Sequence, residues 1–178
     1  MKQYNIEIKW AIAFVLMTLG WMLLERLSGL YNQHIDKHEI YTNFIALPAI
    51  AIYVFALLDK RKNFYGGTMS YKQGFISGLI ITLIVTAFSP LTQYITTAII
   101  APQYFPNVIK YAVDAPKMTQ QEANDFFNLK NYIVQGLIGA PIMGLVTTAI
   151  VAIFTKRTNK WNYAPTTTAY AYAYRKAT

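Results

Sequence analysis

The chain has no cysteine. That excludes disulfides, thiolate nucleophiles and thiolate metal sites, and it leaves cysteine usage silent on redox compartment. Charge is scarce as well. Only 13% of the 178 residues are charged, against about 25% in a soluble domain. The deficit falls in long uncharged runs, which points to membrane spans rather than a large soluble core. The formal net charge is nevertheless +8. Such an excess is one mark of nucleic-acid binding. Here the basic residues flank apolar runs, where lipid headgroups and orientation account for them, so no nucleic-acid partner is expected.

What the sequence does have is organised around residues 66–100, GGTMSYKQGFISGLIITLIVTAFSPLTQYITTAII. A glycine pair and a short polar run lead into an apolar stretch long enough to cross a bilayer. Small residues recur in it at four-residue spacing, at Gly74, Gly78, Thr82 and Thr86, followed by Pro90. That spacing places them on one helix face, where another helix can approach closely. The last apolar stretch repeats the pattern at Gly136, Ala140, Gly144, Thr148 and Ala152.

These features predict an all-α integral membrane protein. Four transmembrane helices form a bundle, over about 10–30, 41–58, 74–100 and 132–154 within a domain of residues 1–158. The polar lead and first run resemble a signal peptide but lack a small-x-small cleavage site, so a retained signal anchor is expected. Pro48 and Pro141 lie inside spans and are expected to kink them. The third span is long enough to tilt, or to break near Ser89-Pro90. Between the third and fourth spans, Thr119 and Glu122 match a capping box. A short amphipathic helix through about Leu129 should follow. Residues 159–178, with a threonine triplet and AYAYAY, read as a low-complexity tail.

Eleven of the sixteen Lys and Arg residues fall in the N-terminal lead, the 59–74 connection and the tail. The positive-inside rule then puts both termini in the cytoplasm of a bacterial inner membrane, with the His34 and Thr119 loops outside.

The segment GGTMSYKQGFISGLIITLIV, the polar loop after it and the glycine-bearing last span resemble a family of small bacterial membrane proteins, domain of unknown function 4199. The resemblance covers roughly Lys9 to Arg157. It is most specific at Ser70, Tyr71 and Gly78 leading into the third span, with Pro102 after it. The family implies four spans. It has no assigned activity, so it implies no catalytic residues.

Few constellations carry chemistry. His34 and His38, with Asp36 and Glu39 nearby, are weak candidates for a metal site. The alternative is a solvated loop with two exposed histidines, and no second shell is visible. No metal or other cofactor is expected. Glu25 and Arg26 are the charges nearest a span interior, about 22 Å along the helix from Trp10 for Glu25. Intramembrane ionisable groups are functional candidates, but their place near the helix end favours both reaching the outer interface. Gln93 is a further candidate intramembrane polar group.

The small-residue stripes are read as packing faces, with the third and fourth spans crossing through Gly74, Gly78, Thr82, Gly136, Ala140 and Gly144. The expected function is that of a non-enzymatic accessory or scaffold subunit in the lipid bilayer, as a homo-oligomer or beside a membrane protein partner. The alternative is an oligomeric small transporter or channel, with Glu25, Thr82, Thr86 or Gln93 lining a path. A lipid-directed enzyme using His34 and His38 is a third reading, but no nucleophile, base and metal converge in the sequence.

Overall fold

The computed structural model describes residues 3–158. Among them the chain is all-helical, with one isolated bridge and no strand. Helix α1 spans Asn5–Leu27. Helix α2, Ile35–Tyr41, runs through a 3-10 turn, Thr42–Ile45, into α3, Ala46–Asn63. Helix α4, Tyr71–Ile95, continues as a π turn, Thr96–Ile100. Two shorter helices follow, α5 at Tyr104–Asp114 and α6 at Gln120–Phe126, before α7 at Leu129–Thr155. Four stretches are long and apolar enough to cross a membrane: Asn5–Leu27, Ile35–Asn63, Tyr71–Ile100 and Leu129–Thr155. The tail beyond Thr158 lies outside the described residues.

Several boundaries differ from the sequence reading, and the largest shifts have local reasons. The first helix begins at Asn5 rather than near Trp10, because Glu7 has a buried partner and is not part of a solvated lead. The second long helix begins at Ile35 rather than Tyr41, so the expected 31–40 loop is half helical. Pro48 sits in the first turn of α3, where its missing N–H is tolerated: the chain arrives there through the 3-10 turn, and the Phe44 carbonyl accepts from another backbone N–H at the start of α3. Helix α5 forms within the polar loop after the third long stretch, although Pro102 and Pro106 punctuate the sequence there. Pro106 falls in its first turn, where proline is tolerated.

Pro90 remains inside α4. The carbonyl it leaves unpaired, on Thr86, accepts instead from the Ser89 hydroxyl at 2.9 Å. The start of α4 is fixed by a capping box. The Gln73 amide N–H donates to Ser70 Oγ at 3.3 Å, and the Gln73 side chain accepts from the Ser70 amide at 2.8 Å. Gly66 and Gly67 supply the positive φ values, +65° and +97°, that turn the chain from α3 toward α4.

Helix α1 packs against α3 and α4, α3 packs against α7, and α4 lies along α7. The core between them holds Ala11, Tyr53, Ala56, Leu57, Met69, Ile81, Val151 and Ala152. A second cluster, Tyr31, Ala101, Tyr104 and Val108, joins the end of α1 to α5. Large apolar side chains face outward along all four long helices, among them Leu16, Leu47, Leu83 and Phe154, as suits a lipid surrounding. The Met69 and Arg157 backbones exchange two hydrogen bonds, of 2.9 and 2.8 Å, and tie the chain entering α4 to the chain leaving α7.

Candidate functional site

Polar side chains collect at the two ends of the packed helices and in a narrow band between them. At the end that carries the start of α1, Glu7 and Lys60 form an ion pair of 2.8 Å, with both side chains buried. The Ser77 hydroxyl donates to Glu7 at 2.7 Å, and the Lys60 ammonium also donates to the Gln3 carbonyl at 2.6 Å. Lys60 lies 3.8 Å above the centre of the Phe64 ring. Three helices, α1, α3 and α4, thus meet at one neutralised cluster. Arg61 adds α7 by donating to the Thr155 carbonyl at 2.8 Å, which satisfies a helix-end acceptor.

Midway along, α4 and α7 touch through glycine and threonine. A Cβ added to Gly78 would fall 2.5 Å from the Thr148 methyl, and one added to Gly144 would fall 2.6 Å from the Thr82 hydroxyl oxygen. Gly74 faces Ala152 and Gly136 faces Ser89. Thr82 also hydrogen-bonds the Tyr53 hydroxyl at 2.7 Å. Each threonine side chain fills the space that the facing glycine leaves open, which lets the two helices approach closely.

At the opposite, loop end lies the most developed site. Glu25 is buried and accepts from Trp21 Nε1 at 2.7 Å and from the Tyr31 hydroxyl at 2.6 Å. His38 Nε2 stands 3.6 Å from the same carboxylate. The neighbouring Arg26 is exposed, and its guanidinium donates to the Ile99 and Ile100 carbonyls at the π turn. Tyr31, His38 and Tyr104 form a triangle of rings with centroids 5.1 to 5.2 Å apart. The Tyr104 and Tyr132 hydroxyls are 3.0 Å apart. Burial, and then the Glu25 carboxylate that accepts its proton, push the Tyr31 hydroxyl well above the usual tyrosine range. Burial and then Tyr132 do the same for Tyr104. Both hydroxyls therefore stay protonated, and Tyr31 donates its proton to Glu25.

These rings wall a cleft of about 720 Å³ between the ends of the long helices, with α5 and α6 over it. Its lining includes Gln93, Gln135, Asp36, Glu39, Lys117 and Phe127. The size and the mixture of aromatic and polar groups suit a small-molecule site.

The model for a family of proteins of unknown function, DUF4199, matches residues 9–157. The chain belongs to that family. The match takes in the glycine–threonine crossing and every residue of the cleft just named, while Glu7 lies just before it. Neither the curated proteins nor the solved structures hold a match to this DUF4199 chain.

The residues singled out from the sequence are placed in this DUF4199 fold as follows. Gln93 lines the cleft, and Glu25 lies behind its wall with Tyr31 and His38 between. The expectation that Glu25 reaches the interface is corrected: it is buried, held by the two hydrogen bonds from Trp21 and Tyr31 with His38 beside it, and of the pair only Arg26 is exposed. The two-exposed-histidine reading is corrected in part. His34 is exposed, but His38 packs among tyrosines. Among the described residues, no group of three or more His, Cys, Asp and Glu is arranged to hold a metal ion. Gly78, Thr82 and Gly144 lie at the closest part of the α4–α7 contact, whereas at Gly136 the helices are further apart, since an added Cβ would be 3.5 Å from the Ser89 hydroxyl oxygen.

Sequence reasoning missed Glu7, Lys60 and Ser77. The signal was helical spacing. Glu7 lies four residues before Ala11, and Lys60 lies four after Ala56 and three after Leu57, all of them buried. It also missed the tyrosines of the cleft. Tyr104, Val108 and Ala112 recur at four-residue intervals, and that stripe marks α5.

Proposed function

We propose that this protein is a non-enzymatic accessory subunit of the bacterial inner membrane, with both termini in the cytoplasm, and that it works by binding at the loop-end cleft. The observation that carries this reading is the contrast between the two halves of the molecule. One end offers a cleft lined by ring faces and amides. The middle is closed where the Thr148 and Thr82 side chains of α7 and α4 pack onto Gly78 and Gly144 of the facing helix. A molecule that enters the cleft meets a packed floor rather than a passage through the helices. A binding subunit fits that shape better than a pore within one chain.

The second reading is a small transporter working as an oligomer. Its support is Glu25, a buried carboxylate within a candidate span, beside a cleft lined by Gln93.

The deciding experiment is extraction into native lipid particles, with mass spectrometry of everything that stays bound. A stoichiometric protein partner supports the accessory reading. A homo-oligomer with no protein partner, whose reconstituted flux responds to Glu25→Gln, replaces it with transport.

A further inference from the structure

The cleft has a charge character opposite to that of the chain. The protein carries +8 overall and only 8 acidic residues. Two of these, Asp36 and Glu39, line the cleft, and a third, Glu25, lies directly behind Tyr31 and His38. Glu25 contrasts with Glu7 in its neighbours. Lys60 neutralises Glu7 at 2.8 Å. Among the described residues no lysine or arginine pairs with Glu25, and Arg26 is turned to backbone carbonyls instead. Trp21 and Tyr31 donate to its carboxylate without carrying charge. The walls are aromatic, and a ring face attracts a cation through its quadrupole. One ammonium already sits this way, since Lys117 Nζ lies 5.0 Å over the Tyr111 ring and both residues line the cleft.

We propose that the cleft binds an organic cation, a compact positive centre on an apolar body of drug-like size. The apolar body would lie against Phe127 and the tyrosine rings. The positive centre would sit between Asp36, Glu39 and the wall in front of Glu25. The volume of about 720 Å³ accommodates such a molecule. Lys117 competes for the same rings. This inference rests on the cleft being the working site. Two sources supply the chemistry: a bilayer lipid with an ethanolamine headgroup, and a free organic cation.

The test uses the full chain in maltoside micelles and isothermal titration with tetraphenylphosphonium. Tetraphenylborate, of the same shape and opposite charge, is the control. Saturable binding of the phosphonium at one per chain is expected, with the borate at least about tenfold weaker. Glu25→Gln and Glu39→Gln should each weaken the phosphonium severalfold, and Lys117→Gln should strengthen it. Glu39 is exposed, so its variant answers the question even if Glu25→Gln fails to fold. Competition by added phosphatidylethanolamine, but not phosphatidylglycerol, would assign the lipid source. Absence of competition would assign a free cation. Equal binding of phosphonium and borate overturns the inference, as does phosphonium binding unmoved by the Glu39 and Lys117 variants. Borate bound alone, and lost in Tyr111→Ala, would reject the cation while keeping the cleft as a site. If neither ion binds, the inference fails, and the mass spectrometry of bound partners still judges the accessory reading.

Discussion

The Lys60 ammonium and the Glu7 carboxylate meet 2.8 Å apart, each buried, although 53 residues separate them in the chain. The pair joins α3 to α1, and Ser77 brings in α4. Removing one partner leaves an uncompensated charge away from water. Lys60→Met should therefore lower stability by about 3–5 kcal/mol, and Glu7→Gln with Lys60→Met should recover a large part of that. Thermal unfolding of both variants in detergent checks it. Equal losses in the single and double variants would show that the pairing itself contributes nothing.

A bulkier residue at the α4–α7 contact should separate the helices. Gly78→Ala places a methyl 2.5 Å from the Thr148 methyl. Overpacking of this kind costs about 1–3 kcal/mol. Thr148→Gly should relieve it, and the paired variant should melt nearer the parent than Gly78→Ala does. Gly139, with nothing near its added Cβ, is the control position: Gly139→Ala should leave the melting temperature unchanged or raised.

Tyr31→Phe removes the 2.6 Å hydrogen bond to Glu25 without changing the ring. A hydrogen bond to a charged group contributes about 1.5–3 kcal/mol. Loss of that order in melting experiments is expected, together with greater hydrogen exchange at the end of α1. A parent-like Tyr31→Phe would mean that Trp21 and His38 alone suffice to hold the carboxylate.

The start of α6 depends on pH in a definite direction. Glu122 accepts from the Thr119 amide and hydroxyl, each at 2.8 Å, which holds its carboxyl below the usual glutamate range. A depressed folded-state value stabilises the cap above the unfolded value, about 4.3. The contribution is lost as pH falls through the lowered one. Amide exchange across α6, corrected for intrinsic rates, should show constant protection near neutrality and a decline in acid. Thr119→Ala should flatten that dependence.

The lack of native cysteine makes orientation directly measurable. Lys72→Cys and Lys110→Cys introduce exposed thiols at opposite ends of the long helices. An impermeant maleimide added to intact cells should label position 110 and spare position 72. The reverse pattern would invert the proposed topology.

Hydropathy and length reveal the four long helices because an uncharged run of that size has few other uses. Boundaries were harder wherever a polar residue is buried. Glu7 and Lys60 each look like interfacial charges until both are seen to belong to one cluster. The capping box at Thr119 was legible because its two residues are three apart and satisfy each other locally. The cleft was not, since Tyr31, His38, Tyr104 and Tyr132 come from four separate segments. Their meeting depends on how α5 folds back over the long helices, which is a tertiary outcome. Glu25 was visible as a candidate, but its burial required knowing that Tyr31 returns to it.

The glycine–threonine contact also limits how this molecule can change shape. Along α4 and α7, Gly78 faces Thr148 and Thr82 faces Gly144, so small and branched residues alternate at one-turn intervals in opposite order. Sliding one helix by a turn would set Thr82 against Thr148 in one direction, and in the other would set Gly78 against Gly144 and leave a gap. The two helices are thus locked like meshed teeth and move as one post. Any widening of the cleft must come from α1, α2 and the two short helices swinging against that post.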